Sequence, residues 1–319
     1  MDHFLVAFLM AVISFLGGAA GSTFTIINNC DYTVWPGILS NAGSAKLSTT
    51  GFELQKGQFQ TLQPPAGWSG RFWGRTGCTF DSSGRGSCAT GDCGSNQIEC
   101  NGAGAAPPAT LAEFTLGVET QDFYDVSLVD GYNLPMIVEG NSGGSACAAT
   151  GCLADLNERC PAELRVASEE GNVACKSACE AFRRPEFCCS GMFATPDTCK
   201  PSYYSELFKT ACPRSYSYAY DDATSTFTCT GGDYTITFCP TTSSQKASKD
   251  PSPQSTETDT GTVTVTGGGE AGVMLGDESW IESMSTSGAP APTTLFWGYP
   301  AFLHTFSIIV SLSIFLQLL

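Results

Sequence analysis

The chain has 319 residues, a formal net charge of −16 and 16 cysteines. Its two histidines, His3 and His304, lie at the extreme ends, so Ser-His-Asp and Cys-His catalysis and histidine-based metal sites are excluded from the long segment between them. The acidity excludes electrostatic attraction to nucleic acid or to anionic lipid.

In chain order, residues 5–16 (LVAFLMAVISFL) form an apolar run, followed by the small residues Gly17, Gly18, Ala19, Ala20 and Gly21. This is the layout of a secretory signal peptide over residues 1–21, cut near Ala20 or Gly21. No Lys or Arg precedes the run, so the free amino terminus must supply the positive charge. A run of this length is too short to span a bilayer.

Residues 22–240 are dense in cysteine, aromatic and β-branched residues and carry a net charge of −10. Strands are expected at 23–27 (TFTII), which ends in an Asn28-Asn29 turn, and at 33–38. At 71–75, Arg71, Trp73 and Arg75 alternate with Phe72 and Gly74. At 112–116, Ala112, Phe114 and Leu116 alternate with Glu113 and Thr115. Residues 122–138 read as a hairpin: Tyr124, Val126 and Leu128 share a face, Asp130-Gly131 turns, and Leu134 to Val138 returns, with Pro135 favouring an edge. The stretch 152–212 has too little apolar sequence for its own core, so disulfides are expected to hold it. Its short helical patterns are at 177–182 and 203–211. Strand character returns at 226–229 and 234–239.

All sixteen cysteines lie between the two ends, an even number that reads as eight disulfides in an oxidising compartment. Cys93 with Cys100, or Cys175 with Cys179, could supply zinc ligand pairs, but no repeated Cys-x-x-Cys occurs. Residues 241–294 are rich in Ser, Thr, Gly and Pro without cysteine, and read as an extended stalk. Residues 295–319 end in a largely apolar tail with no Lys or Arg after it. With the small residues Ser285 to Ala289 upstream, this is the layout of a GPI-attachment signal, the lipid joining near Ser285 or Ser287. A terminal spanning helix is the competing reading, since 19 residues just cross a bilayer.

Six stretches carry a resemblance: WGRTGC (73–78), GRGSCATGDC (84–93), TLAEF (110–114), DFYDVSLVDG (122–131), CPAELR (160–165) and STFTC (225–229). Together with all sixteen cysteines in order, they make residues 22–240 resemble the thaumatin-like, pathogenesis-related family 5 proteins of plants. One departure is a slightly long loop between Cys93 and Cys100. The resemblance implies a mainly β fold: a flattened β-sandwich core with two small disulfide-rich lobes (76–106 and 152–212) and an acidic cleft beside the larger one. It implies the pairing Cys30–Cys239, Cys78–Cys88, Cys93–Cys100, Cys147–Cys229, Cys152–Cys212, Cys160–Cys175, Cys179–Cys188 and Cys189–Cys199. The family's cleft, one Arg, one Glu and three Asp, falls on Arg71, Glu113, Asp125, Asp130 and Asp221, with Asp222 an alternative for the last.

The chemistry of these residue types fits a sugar ligand. Clustered carboxylates accept hydrogen bonds from hydroxyls, and Phe123, Tyr124 and Tyr132 are candidates to pack against ring faces. Glu113 paired with Asp130 could also serve as proton donor and second carboxylate on a glycosidic bond. That requires carboxyls about 5–5.5 Å apart for retention or about 6.5–9.5 Å for inversion, and one raised pKa. Plainer roles compete. Asp130 could simply make the turn before Gly131, Glu113 could be a solvated strand residue, and Arg71 could merely neutralise its neighbours. Asp125 and Asp130 have opposite parity, so they share a face only if the strand ends or bulges between them.

Three functions follow as expectations. The first, favoured over catalysis, is a defence-type protein that binds β-1,3-glucan or a related wall polysaccharide, with antifungal action in view. The second is a weak endo-β-1,3-glucanase using Glu113 and Asp130. The third is a protein-binding module, either an inhibitor of a foreign hydrolase or a surface adhesion or sensing component. No cofactor, metal or nucleic acid is implied, and nothing demands an oligomer. The expected location is the outer face of the plasma membrane, held by the lipid anchor, or the apoplast and cell wall.

Overall fold

The computed structural model of the protein describes residues 22–240, apart from 119, 169 and 170. The leader, the stalk and the tail with Ser285 and Ser287 lie outside the described residues.

In chain order the strands are β1 (Phe24–Asn28), β2 (Trp35–Ser40), β3 (Phe59–Leu62), β4 (Ser69–Arg75), β5 (Thr79–Phe80), β6 (Gly86–Ser87), β7 (Leu111–Thr115) and β8 (Gln121–Ser127). There follow β9 (Met136–Ser142), β10 (Ser145–Ala146), β11 (Thr150–Cys152), β12 (Arg165–Ser168), β13 (Gly171–Cys175), β14 (Phe227–Thr230) and β15 (Asp233–Phe238). One sheet runs β10-β9-β15-β1-β3, with β11 also on β9. The other runs β14-β8-β7-β4-β2. All their pairings are antiparallel except β1 with β15.

Alternation along each strand decides what goes inside. Phe24 and Ile26 of β1, Phe72 of β4, Phe114 of β7, Tyr124 and Val126 of β8, and Tyr234, Ile236 and Phe238 of β15 form one buried cluster. Phe24 is central, with ring centroids 4.9 Å from Phe72 and 4.7 Å from Phe114, both edge-on. Such pairs add about 0.5–1.5 kcal/mol each beyond the area they bury. The opposite side of the second sheet therefore carries Arg71, Glu113 and Asp125.

The hairpin expected over 122–138 does not form. β8 and β9 belong to different sheets, and residues 128–135 cross between them. The Asp130-Gly131 step lies in a turn in which Gly131 N donates to Leu128 O at 3.0 Å. Beyond it the chain is drawn to the larger lobe: Tyr132 N donates to Cys175 O at 2.8 Å and Cys175 N to Tyr132 O at 2.7 Å. Tertiary pairing overrides the local turn signal. Pro135 precedes β9, and β9 is an interior strand rather than an edge.

The described cysteines form eight disulfides, Cys30–Cys239, Cys78–Cys88, Cys93–Cys100, Cys147–Cys229, Cys152–Cys212, Cys160–Cys175, Cys179–Cys188 and Cys189–Cys199. The larger lobe does possess a small core, but four of its members are cysteines and two, Leu128 and Tyr132, come from the crossing segment. Helices in that lobe include Ala178–Phe182, capped by Ser177, and Tyr203–Ala211, where Ser202 and Ser205 form a reciprocal cap. The smaller lobe packs on the outward Trp73 and Leu111. There Arg75, fully buried, donates to Trp35 O at 3.0 Å, Ile98 O at 2.5 Å and Pro36 O at 3.3 Å.

Candidate functional site

Three of the expected residues lie in one row across the second sheet. Arg71 on β4 stands opposite Glu113 on β7, and Glu113 stands opposite Asp125 on β8. Their inward neighbours Phe72, Phe114 and Tyr124 are all in the core, so the three polar side chains share the outer face. Arg71 Nε is 3.5 Å from Glu113 Oε1, an ion pair too long to be a hydrogen bond. Among the described residues neither Arg71 Nε nor Asp125 Oδ1 has a hydrogen-bond partner, and Asp125 is 8% exposed. A buried carboxyl oxygen without a partner calls for a physical explanation.

Asp130 joins the group because β8 stops at Ser127, which frees it from strand parity. Its charge acts on Glu113, and Arg71 acts on it in turn. The two aspartates after Tyr220 part company. Asp221 is tied down by Lys209 Nζ at 2.9 Å, by Ser217 N and Oγ at 3.0 Å each, and by Thr224 Oγ1 at 3.1 Å. Asp222 accepts from Tyr216 Oη at 2.9 Å, and its charge reaches Asp125. Of the two, Asp222, the alternative, is the one whose charge adds to the rise at Asp125. Tyr216 also pairs its hydroxyl with that of Thr226.

Of the aromatic candidates, Phe123 lies on the outer face beside Asp125 and is 46% exposed. Tyr124 and Tyr132 do not line the site. Both are fully buried, Tyr124 between the sheets with its hydroxyl donating to Ala148 O, and Tyr132 in the lobe core donating to Ala154 O. Tyr124 points inward by strand alternation, and Tyr132 because its backbone is bonded to Cys175.

A model of the thaumatin family matches residues 28–240. The chain belongs to that family. Among curated relatives, "Thaumatin-like protein 1" of Arabidopsis thaliana is 62% identical over 253 residues, covering 75% of this chain and 96% of the relative. "Pathogenesis-related protein 5" of the same plant is 54% identical over 236 residues, covering 74% and 97%. A Prunus avium protein named "Glucan endo-1,3-beta-glucosidase" is 53% identical over 234 residues, covering 72% and 95%. Among solved structures, a laminaripentaose-producing β-1,3-glucanase in complex with laminaritetraose aligns with a TM-score of 0.51 at 13% identity, covering 69% of this chain and 99% of that one. At that identity the likeness is one of fold.

In this thaumatin-like chain, burial governs the site's protonation. Burial raises the Glu113 carboxyl above its ordinary range, Arg71 opposes this, and Asp130 adds to it. Burial raises Asp125 well above the ordinary range, reinforced by Glu113 and Asp222 and opposed by Arg71. Burial likewise raises Asp130 against Arg71. The row therefore presents a cation, carboxyls that hold protons beyond the usual pH, and acceptor oxygens. Such a mixture matches hydroxyls, which both donate and accept. Sequence reading missed Tyr216 and Lys209, whose roles depend on spatial neighbours.

Proposed function

We propose that the acidic face beside the larger lobe binds β-1,3-glucan or a related neutral wall polysaccharide, in a defence-type role at the cell surface. The row Arg71–Glu113–Asp125, closed by Asp130, supports this reading most directly. It offers alternating donors and acceptors, with one exposed aromatic, Phe123, beside it. The net acidity favours a neutral ligand over a polyanion. The eight disulfides suit an oxidising, extracellular setting, and a GPI-type tail would hold the domain facing the wall.

A second reading is favoured by the raised Glu113 carboxyl beside Asp130. Glu113 would act as general acid and Asp130 as the second carboxylate in endo-β-1,3-glucan hydrolysis. The deciding experiment incubates the protein with linear β-1,3-glucan and records both co-sedimentation and released reducing ends. Binding without release is expected, and it is expected to vanish in Arg71→Ala. Release that disappears in Glu113→Gln while binding persists would establish the glycosidase. Neither binding nor release would refute both and direct attention to a protein partner, such as a foreign hydrolase.

A further inference from the structure

Two helices of the larger lobe stand apart and leave a recess between them. One is Leu156–Arg159, capped by Asp155, whose side chain accepts from Asn157 N at 2.9 Å. Asn157 Nδ2 donates to Asn133 O at 2.9 Å and to Val173 O at 3.2 Å, which fastens this helix to the crossing segment and to β13. The other is Tyr203–Ala211, fastened just after its end by the Cys152–Cys212 disulfide. Lys209 Nζ holds it as well, donating to Ser215 O at 3.1 Å and to Ser225 Oγ at 2.8 Å. With both walls anchored, neither helix is free to slide in and fill the gap, so the recess persists.

The recess has a volume of about 110 Å³. Leu156, Pro161, Leu207, Phe208 and Ala211 give it an apolar lining, and Arg159 is the only charged residue on its wall. Thr210, also on the wall, donates its hydroxyl to Glu206 O at 2.8 Å. None of Arg71, Glu113, Asp125, Asp130 and Asp222 lines the recess, so it is not part of the acidic face. Arg159 is exposed, and among the described residues no salt bridge reaches its guanidinium. Water in such a recess finds few polar partners and is readily displaced by an apolar body. The volume approaches that of an engineered apolar cavity of about 150 Å³ that takes up benzene, so a single aromatic ring is the matching body. A sugar does not suit these walls, because its hydroxyls would lose water without gaining partners. The guanidinium adds the second requirement, since its planar fork matches a carboxylate with two parallel hydrogen bonds.

We infer that this recess is a binding site, separate from the acidic face, for a small aromatic carboxylate. The ring lies between Leu156, Leu207 and Phe208, and the carboxylate pairs with Arg159. The inference stands independently of the glucan reading.

The test uses the full-length protein and two probes of one shape, 3-phenylpropionate and its neutral counterpart 3-phenylpropanol. Saturation-transfer NMR measures the affinity of each for wild type, Arg159→Gln and Thr210→Trp, with near-UV circular dichroism as the check on folding. Wild type is expected to bind the carboxylate about tenfold more tightly than the alcohol, the effect of one charge-assisted pair at an exposed rim. Arg159→Gln is expected to bring the carboxylate down to the affinity of the alcohol. Thr210 is exposed, so an indole placed there covers the opening, and Thr210→Trp is expected to abolish binding of both probes. If that variant is not secreted, Leu207→Ala, which removes part of the apolar wall, is expected to weaken both probes by the same factor of about three. Equal affinity of wild type for acid and alcohol, carboxylate binding unchanged in Arg159→Gln, or binding untouched in a folded Thr210→Trp or Leu207→Ala would each overturn the inference. So would the absence of saturation transfer to either probe at millimolar concentration.

Discussion

Asp125 shows how one residue's surroundings set its chemistry. It sits on the outer face of β8 yet is buried, because Glu113 and the segment bearing Tyr216 and Asp222 close around it. Its folded-state pKa lies above its unfolded one, as do those of Glu113 and Asp130. These groups favour the protonated form in the fold, so their contribution to stability is fully present below the ordinary carboxylate range and is lost as pH rises from there through the raised values. A higher thermal midpoint is therefore expected at pH 5 than at pH 7. Asp125→Asn, which keeps the shape and removes the ionisation, should shrink that difference. It should also raise the pH 7 midpoint by about 2–4 °C, the response of a domain of this size to about 1 kcal/mol. Scanning calorimetry at the two pH values decides it, and a midpoint higher at pH 7 in wild type would contradict the protonation assigned to the row. The residue types of the row were legible in the sequence. The burial that alters their acidity was not, because it depends on which segments close over the sheet.

Among the elements, strand β4 and the crossing segment 128–135 make the contrast. The alternation of Arg71, Trp73 and Arg75 with Phe72 and Gly74 correctly separated outer from inner face, because a strand's period of two is a local property. The segment 122–138 misled, because an Asp-Gly step between apolar runs is a hairpin signal only when the two runs belong to one sheet. Here the chain changes sheets, and the main-chain groups of Tyr132 are satisfied by Cys175, more than forty residues away. Gly131→Ala is expected to destabilise the protein by about 1–3 kcal/mol, since it places a side chain at positive φ and a Cβ against the Cys175 carbonyl. It should weaken glucan binding as well by shifting Asp130. Urea unfolding checks the first effect and co-sedimentation the second. Arg75 belongs to this scale too. Burial pushes its guanidinium down to about 10 against the pull of Asp92 and Glu99. Arg75→Leu should cost about 3 kcal/mol or more by stranding the carbonyls of Trp35, Pro36 and Ile98. The loss should appear first as faster amide exchange in the smaller lobe.

At the scale of the whole molecule, the two ends of the domain meet. β1 and β15 lie side by side in parallel, and Cys30 is bonded to Cys239 across 209 residues of sequence. In the chain-entropy picture such a long loop contributes roughly 5 kcal/mol. The double variant Cys30→Ser, Cys239→Ser should accordingly lose about that much stability in urea while keeping its pairing of β1 with β15. A loss below about 1 kcal/mol would show that the sheet ladder alone closes the ends.

Several properties were determined by sequence alone: the β-rich class, the disulfide-dense character, the absence of histidine chemistry and the residue types of the acidic face. Composition, alternation and cysteine content are local or additive, so they can be read without coordinates. The tertiary structure decided the rest. It sent Tyr124 and Tyr132 into cores, tied Asp221 to Lys209, Ser217 and Thr224 and routed 128–135 between the sheets. Each of these depends on backbone and charge contacts between segments distant in sequence, and their energies exist only once the chain has closed on itself.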